Sequence, residues 1–293
     1  MRWFALRPLR VLAVALIALA VGITAQQSIG EMNPYEPIEV IPFVPSTRIE
    51  FVLTPGIRYD PAVRLFSYSY TLFNKPHSAQ SIGNFDFFTD ARVVEELATD
   101  DPRNVQNNIF WMQGCKQEPN QYHPGMIEFG AGVETDLLQP GATVYNLTFR
   151  SPDPPGIVVS HTEGDVPPPS GNQIVDPSAP NQHWPENSVH GKTVGPVLVQ
   201  GELTPLTQID RMEALKHEAF QLGWIDNQGI VNSLDVKLQH ARNHLAQGRT
   251  KQAQNVLQAF RHELDAQRGQ HVNEDAYQLL SGNADFLVSQ IGP

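Results

Sequence analysis

Bulky apolar and small polar residues alternate one by one in the first half of the chain. The clearest example is residues 65–73, where serine and threonine separate the bulky positions Phe66, Tyr68, Tyr70 and Leu72. A period of two places alternate side chains on opposite faces of a β-strand. This segment is therefore predicted to be a strand with one bulky face and one small polar face.

Similar short runs recur before residue 200, and turn residues separate them. The runs are 49–53, 85–88, 108–112, 126–129, 143–149 and 157–160. Pro-Gly pairs, which favour type II turns, occupy 55–56, 124–125, 140–141 and 155–156. Short strands at such intervals, without helices between them, predict an all-β, antiparallel, Ig-like sandwich over residues 48–200. Its last part, from Pro152 to Pro205, is rich in proline and is predicted to form irregular loops.

The hydrophobic period changes to that of a helix after a predicted linker at 201–206. Four amphipathic segments follow, and glycine ends the first three, at Gly223, Gly248 and Gly269. Residues 207–293 are therefore predicted to form a small all-α bundle. Its core unit is three helices after Trp224, and this unit is expected to gain stability by docking either the helix that precedes Gly223 or the sandwich.

Polar residues mark where these helices are expected to begin. Thr207, with Asp210 three residues later, resembles a capping box at the start of the first helix. The second helix is expected to start near Asn232 or Ser233. Asn273 is the predicted N-cap of the fourth helix, because two acidic residues follow it in the first turn.

The first 25 residues are typical of a secretion signal. Three arginines precede an apolar run at 11–23, and Ala25 offers a cleavage site before Gln26. The run is shorter than the roughly 20 residues that span a bilayer, so no membrane span is expected after cleavage. The protein is therefore predicted to be secreted or periplasmic, with a retained signal anchor as the alternative. Residues 26–47 contain four prolines and are predicted to be an extended lead-in.

The net charge of the chain limits the classes of partner that it is expected to bind. Removal of residues 1–25 takes away three arginines and no acidic residue, which leaves 17 basic against 31 acidic residues and a formal charge of −14. A field of this sign repels phosphate backbones and anionic lipid surfaces, so no nucleic-acid partner is expected. Cationic partners are easier to accommodate. Cys115 is the only cysteine, which excludes an internal disulfide.

The helical end resembles the FIMAH domain, a small helical module at the C-termini of exported bacterial proteins. The resemblance covers about residues 223–291. It rests on Gly223-Trp224-Ile225, Asn232-Ser233-Leu234, Lys237-Leu238, Gly248, Ala259-Phe260, Ala266-Gln267 and Gly269, in that order. The resemblance implies an accessory, non-catalytic module attached to varied secreted partners, and it implies no catalytic residues.

Two groups of side chains are weak candidates for a metal site. His161, Glu163 and Asp165 alternate, so in an extended segment they would point to one side, and His183 could join them from the proline-rich region. Gly164 and the prolines after Val166 favour a hydrated loop instead. His240 and His244 are spaced to meet one metal ion on a helix, but they lack an evident third ligand, and an ordinary helix face is the alternative.

Three aromatic residues in or beside predicted loops are candidates for stacking on sugar rings. They are Trp111, Tyr122 and Trp184. Core filling is the alternative for each, because large aromatic side chains dominate burial.

No nucleophile elbow, Cys-x-x-Cys pair, phosphate loop or Asp-x-Asp calcium loop occurs in the sequence. The expected function is therefore non-catalytic recognition or structure at the cell surface, with no cofactor, in which the helical module mediates attachment or assembly. Extracellular polysaccharide or another surface protein is the expected partner. The competing hypothesis is a secreted metal-dependent hydrolase or lyase, with its site in the loops of residues 152–196.

Overall fold

A computed structural model describes residues 37–96, 101–106, 111–113, 125–182 and 186–292. Of these residues, 37–44 and 166–182 form one compact unit, and the others form a second. In the smaller unit two short strands pair in parallel, with Val40 opposite Ile174. One of these strands lies within the segment that was predicted to be an extended lead-in.

Eleven strands and five α-helices are present in the described residues. The strands are β1 (Glu39–Ile41), β2 (Phe51–Asp60), β3 (Leu65–Asn74), β4 (Ile82–Phe88), β5 (Glu95–Glu96), β6 (Trp111–Gln113), β7 (Met126–Ala131), β8 (Thr143–Ser151), β9 (Pro155–Gly164), β10 (Gln173–Val175) and β11 (Val189–Pro196). The helices are α1 (Pro102–Gln106), α2 (Pro205–Gln221), α3 (Gln228–Ala246), α4 (Thr250–Gln267) and α5 (Glu274–Gln290). A 3-10 turn covers Glu134–Asp136.

Two antiparallel sheets share one aromatic core, which confirms the predicted sandwich followed by helices. The strand orders are β11-β9-β4-β7-β6 and β2-β3-β8-β5. The predicted bulky face of β3 is fully buried in this core, and its Tyr68 ring stacks on Phe149 with 5.2 Å between centroids. The tyrosine hydroxyls are also satisfied, because Tyr68 donates to the carbonyl of Asp153 at 2.7 Å and Tyr70 to that of Val194 at 2.9 Å.

The Pro-Gly pairs do not all form the predicted turns. Pro140-Gly141 does, and Gly141 has a φ of 87°. Pro55-Gly56 instead lies inside β2, which is an edge strand, so the missing N–H of proline costs no ladder bond. Pro155-Gly156 begins β9, a ten-residue strand within the region that was predicted to be irregular. The remaining pair includes Pro124, which lies outside the described residues.

Two of the predicted helix starts are wrong by several residues, and one is confirmed. The N-cap of α2 is Thr204 rather than Thr207, because proline at the next position suits the first helical turn. The N-cap of α3 is Asn227, whose side chain accepts the N–H groups of Gly229 and Ile230. Asn273 caps α5 as predicted and accepts the N–H of Ala276 at 2.9 Å.

Helix α5 packs directly against the sandwich. Gly282 allows a close approach, since a Cβ atom at this position would lie 3.0 Å from the Ile57 side chain. The Phe286 ring lies with its centroid 5.1 Å from that of Tyr59 and 5.4 Å from that of Phe66. The side chain of Gln278 also accepts the backbone N–H of Ile57 at 2.8 Å.

A buried polar network centred on Asn283 joins the helices to the first residue of β9. Asn283 donates to the Pro155 carbonyl at 3.0 Å and to the Leu279 carbonyl at 2.7 Å. Its side-chain oxygen accepts from Gln208 at 2.8 Å and from Arg211 at 2.6 Å, and Arg211 also donates to the Pro155 carbonyl at 2.7 Å. Asn283 and Gln208 are fully buried. The helical bundle and the sandwich are therefore parts of one compact unit.

Candidate functional site

A row of ionisable side chains crosses the outward face of the five-stranded sheet. In the strand register, His190 on β11 lies opposite His161 on β9, His161 opposite Asp86 on β4, and Asp86 opposite Glu128 on β7. The neighbouring residues Phe85 and Phe87 point into the core. Asp86 therefore points away from it, since successive side chains of a strand alternate between the two faces.

Glu163 and Asn84 form a second row beside the first. The two residues are register partners on β9 and β4. The Asn84 amide lies near the carboxyl groups of both Glu128 and Glu163 and acts to lower the pKa of each. An amide group between two carboxyl groups links the rows into one cluster. We call Asp86, Glu128, Glu163, Asn84 and His161 the carboxyl cluster.

Burial changes the protonation of this cluster. Asp86 is 2% exposed, and burial, reinforced by the charges of Glu128 and Glu163, raises its pKa to about 8. Burial, with the charge of Glu128, raises the pKa of Glu163 to about 7. The pKa of His161 is lowered to about 4 by burial and then by His190. At neutral pH Asp86 is thus mainly protonated and His161 is neutral.

The contacts of the two buried members differ. The Nδ1 atom of His161 lies 3.0 Å from the Ser188 hydroxyl, and its ring centroid lies 4.5 Å from that of His190. The Oδ1 atom of Asp86 is buried and has no hydrogen-bond partner among the described residues. A carboxyl oxygen without a donor is costly to bury in its charged form, which agrees with the direction of the pKa shift.

Two of the four weak metal candidates lie in this cluster. His161 and Glu163 are two residues apart on β9, which is extended to Gly164 rather than looped. Asp165 follows the strand, and its N–H donates to the Ser81 carbonyl at 2.7 Å. Burial, and then the charge of Glu134, raises the pKa of Asp165 above its ordinary value. His183 lies outside the described residues. Within the described ranges, no three His, Cys, Asp or Glu side chains are grouped so as to hold a metal ion.

The sequence pattern alone does not single out Asp86, Glu128 and Asn84 as site residues. Each alternates with buried apolar residues, as in Phe85-Asp86-Phe87 and Ile127-Glu128-Phe129. That alternation shows that the polar residues share the outward face of their own strand. It does not show that β4 and β7 are neighbours, so the cluster depends on strand order, which the pattern does not contain.

The remaining candidates lie at separate places. His240 is exposed on α3, and His244 is half-buried one turn further on. Trp111 is 2% exposed in the sandwich core and donates its indole N–H to the Asp136 carbonyl at 2.9 Å. Such a position corresponds to the core-filling alternative. Tyr122, Trp184 and Cys115 lie outside the described residues.

Residues 209–289 match the family profile of the FIMAH domain, which confirms the resemblance at the C-terminal end. The match begins within α2, so it takes in all four helices of the bundle rather than the last three alone. It suggests a surface-associated or adhesion-like role. No curated protein matches the chain. None of the helices in the described ranges has the length and apolar character needed to cross a membrane.

Two residues that carry the resemblance have a structural explanation. Ser233 donates its hydroxyl to Glu263 at 3.0 Å, and the Lys237 ammonium lies 2.6 Å from the same carboxylate. These contacts join α3 to α4. The segment around Glu263 therefore faces a neighbouring helix at this residue.

Proposed function

We propose that this protein is an exported, non-catalytic protein of the cell surface, whose sandwich and FIMAH-like bundle attach as one body to an extracellular polysaccharide or another surface protein. The N-terminal pattern supports export, and the family match supports an adhesion-like role. The acidic balance of the chain favours a neutral or cationic partner over an anionic one.

The observation that carries this proposal is the buried network around Asn283. A module that only tethers its neighbour needs a flexible linker and few contacts. Here Gln208 and Arg211 both donate to the Asn283 side-chain oxygen, and Arg211 and Asn283 both donate to the Pro155 carbonyl. An attachment surface on the bundle then holds the sandwich at a fixed orientation, as suits a structural or adhesive component.

A second candidate function has one observation in its favour. The carboxyl cluster contains carboxyl groups whose pKa values are raised to about 8 in Asp86 and about 7 in Glu163. Carboxyl groups that keep a proton near neutral pH are used as general acids by hydrolases. This arrangement favours an acid-base hydrolase of an extracellular polymer as the alternative to adhesion.

One preparation tests export and binding together. The complete chain is expressed in a bacterial host, and we expect to recover it from the periplasm or medium with Gln26 as its first residue. This product is then applied to an array of glycans and cell-wall fractions. We expect retention on one class of polymer, with no release of soluble fragments from it.

The variant Glu163→Gln separates the two candidate functions. Under the proposal it binds the array like the unaltered protein, because no chemical step requires the carboxyl group. Release of fragments by the unaltered protein, abolished in Glu163→Gln, would establish the hydrolase instead. Recovery of the chain only from the cytoplasm with Met1 intact would contradict export.

A further inference from the structure

Two ion pairs cross the seam between α2 and α3. Asp210 of α2 pairs with Arg242 of α3. Further along, Lys216 of α2 pairs with Asp235 of α3, and the Lys216 side chain is fully buried. Each pair joins one residue from each helix, so ion pairs connect the two helices at two positions along their length.

Between these two ion pairs, the facing positions of the two helices carry a carboxylate but no lysine or arginine. Glu213 lies one turn from Asp210 and one turn from Lys216, and Gln239 lies one turn from Arg242 and one turn from Asp235. Where the flanking levels have a basic residue, this level has a neutral amide. Both helices are described throughout, and Glu213 has no ion pair with any described residue.

A groove opens at this level. It has a volume of about 360 Å³ and is lined by Glu213, Asp235, Val236, Gln239 and His240. Val236 is 54% exposed, so its aliphatic side chain is accessible at this groove. The groove thus combines a carboxylate without a counter-ion, an exposed aliphatic surface and the acceptor oxygen of an amide.

We propose, on the basis of the proposed attachment function, that this groove binds a lysine side chain of a partner protein. The ammonium group pairs with Glu213, and the methylene chain packs on Val236. Lysine suits the groove better than arginine, because its charge is compact and its aliphatic stem can pack on Val236, whereas no Phe, Tyr or Trp ring lines the groove to favour a planar guanidinium. The bound ammonium completes the middle level of the seam.

Immobilised peptides provide the test. One peptide is acetyl-Ala-Ala-Lys-Ala-Ala-amide, and its partner carries Nε-acetyl-lysine at the central position, which keeps the stem and removes the charge. Both are displayed densely, so that weak single contacts are amplified by avidity. We expect the protein that starts at Gln26 to bind the lysine peptide at least about tenfold better than the acetylated one, with binding that weakens as salt is raised.

Variants of the groove define the contacts. Glu213→Gln is expected to weaken binding of the lysine peptide about fivefold, as befits the loss of one partly exposed ion pair. Val236→Ser is expected to weaken it as well. Glu202→Gln changes an exposed acid outside the bundle and is expected to bind like the unaltered protein. Unchanged thermal unfolding of each variant shows that the fold is retained.

Three outcomes would overturn the inference. They are equal binding of the two peptides, full binding by Glu213→Gln, and no binding by the unaltered protein. Stronger competition by a chitosan oligomer than by the lysine peptide would assign the groove to an amino sugar. If Glu213→Gln binds the lysine peptide like the unaltered protein while both are retained on the cell-wall array, the groove assignment fails and the proposed function stands. If neither binds the array, the proposed function fails.

Discussion

Replacement of Asn283 by leucine should lower the free energy of unfolding by about 3 kcal/mol, the cost typical of breaking a buried polar contact to a charged group. Leucine has a similar volume, so the effect comes from lost hydrogen bonds rather than from a cavity. Gln208 and Arg211 would each lose an acceptor at 2.8 Å and 2.6 Å, and the Pro155 carbonyl would lose a donor at 3.0 Å. Water has little access to this place, because Asn283 and Gln208 are fully buried.

Urea denaturation measures this loss, and Asn243→Leu is the matched control. Asn243 is exposed on α3, where its only described side-chain contact is a hydrogen bond of 3.4 Å from Gln239. The control should stay within about 0.5 kcal/mol of the unaltered protein. A loss below about 1 kcal/mol in Asn283→Leu would show that the network does not hold the bundle to the sandwich.

The free energy of unfolding should fall as the pH rises from 6.5 to 8, with a slope from Asp86 alone of about 1.4 kcal/mol per pH unit near pH 6.5 that declines to about half of this at pH 8. The folded-state pKa of Asp86 is about 8, above the ordinary value of 3.8. In this window the unfolded chain has lost the proton while the folded chain still holds it, so a rise in pH favours unfolding. Glu163, with a pKa of about 7, acts in the same direction up to that pH.

The titration of His161 sets the lower pH limit of the range in which stability is expected to fall with rising pH. Its pKa is lowered from 6.5 to about 4, so its contribution to stability is lost as the pH falls from 6.5 to 4, opposite to that of Asp86. Above pH 6.5 the histidine is neutral in both states and contributes no slope. Among the described residues, the other ionisable groups that act on Asp86 or on its neighbour His161 are Glu128 on β7, Glu163 on β9 and His190 on β11.

The variant Asp86→Asn isolates the effect. It removes the proton uptake without changing the shape of the side chain, so the slope between pH 7 and 8 should flatten and the variant should be more stable than the unaltered protein at pH 8. Glu202→Gln, an exposed acid, should keep the original slope. Chemical denaturation at several pH values measures both. Parallel curves for Asp86→Asn and the unaltered protein would mean that Asp86 is ionised in the fold.

Much of the fold follows from periodicity. The alternation in residues 65–73 correctly identifies β3 and its buried face, because side chains in a strand have a period of two. The helical stripes and the Asn273 cap correctly place α5, because capping is a local interaction between neighbouring residues. These features depend on residues close together in the chain.

Other features depend on residues far apart, and a local pattern cannot show them. Pro55-Gly56 has the composition of a turn, yet β2 continues through it because the strand lies at the edge of its sheet. The candidate site likewise depends on residues that are far apart in the chain. His161 and Glu163 were recognised from their spacing on one strand, whereas Asp86 and Glu128 join them only through the pairing of β9, β4 and β7.

The sandwich and the helical bundle should unfold as one cooperative body, and differential scanning calorimetry of the protein that starts at Gln26 measures whether they do. We expect a single unfolding transition, with a calorimetric enthalpy equal to the van't Hoff enthalpy, because the Asn283 network and the α5 contacts couple the two parts. Two separate transitions, with the helical signal lost in one and the β signal in the other, would contradict the account.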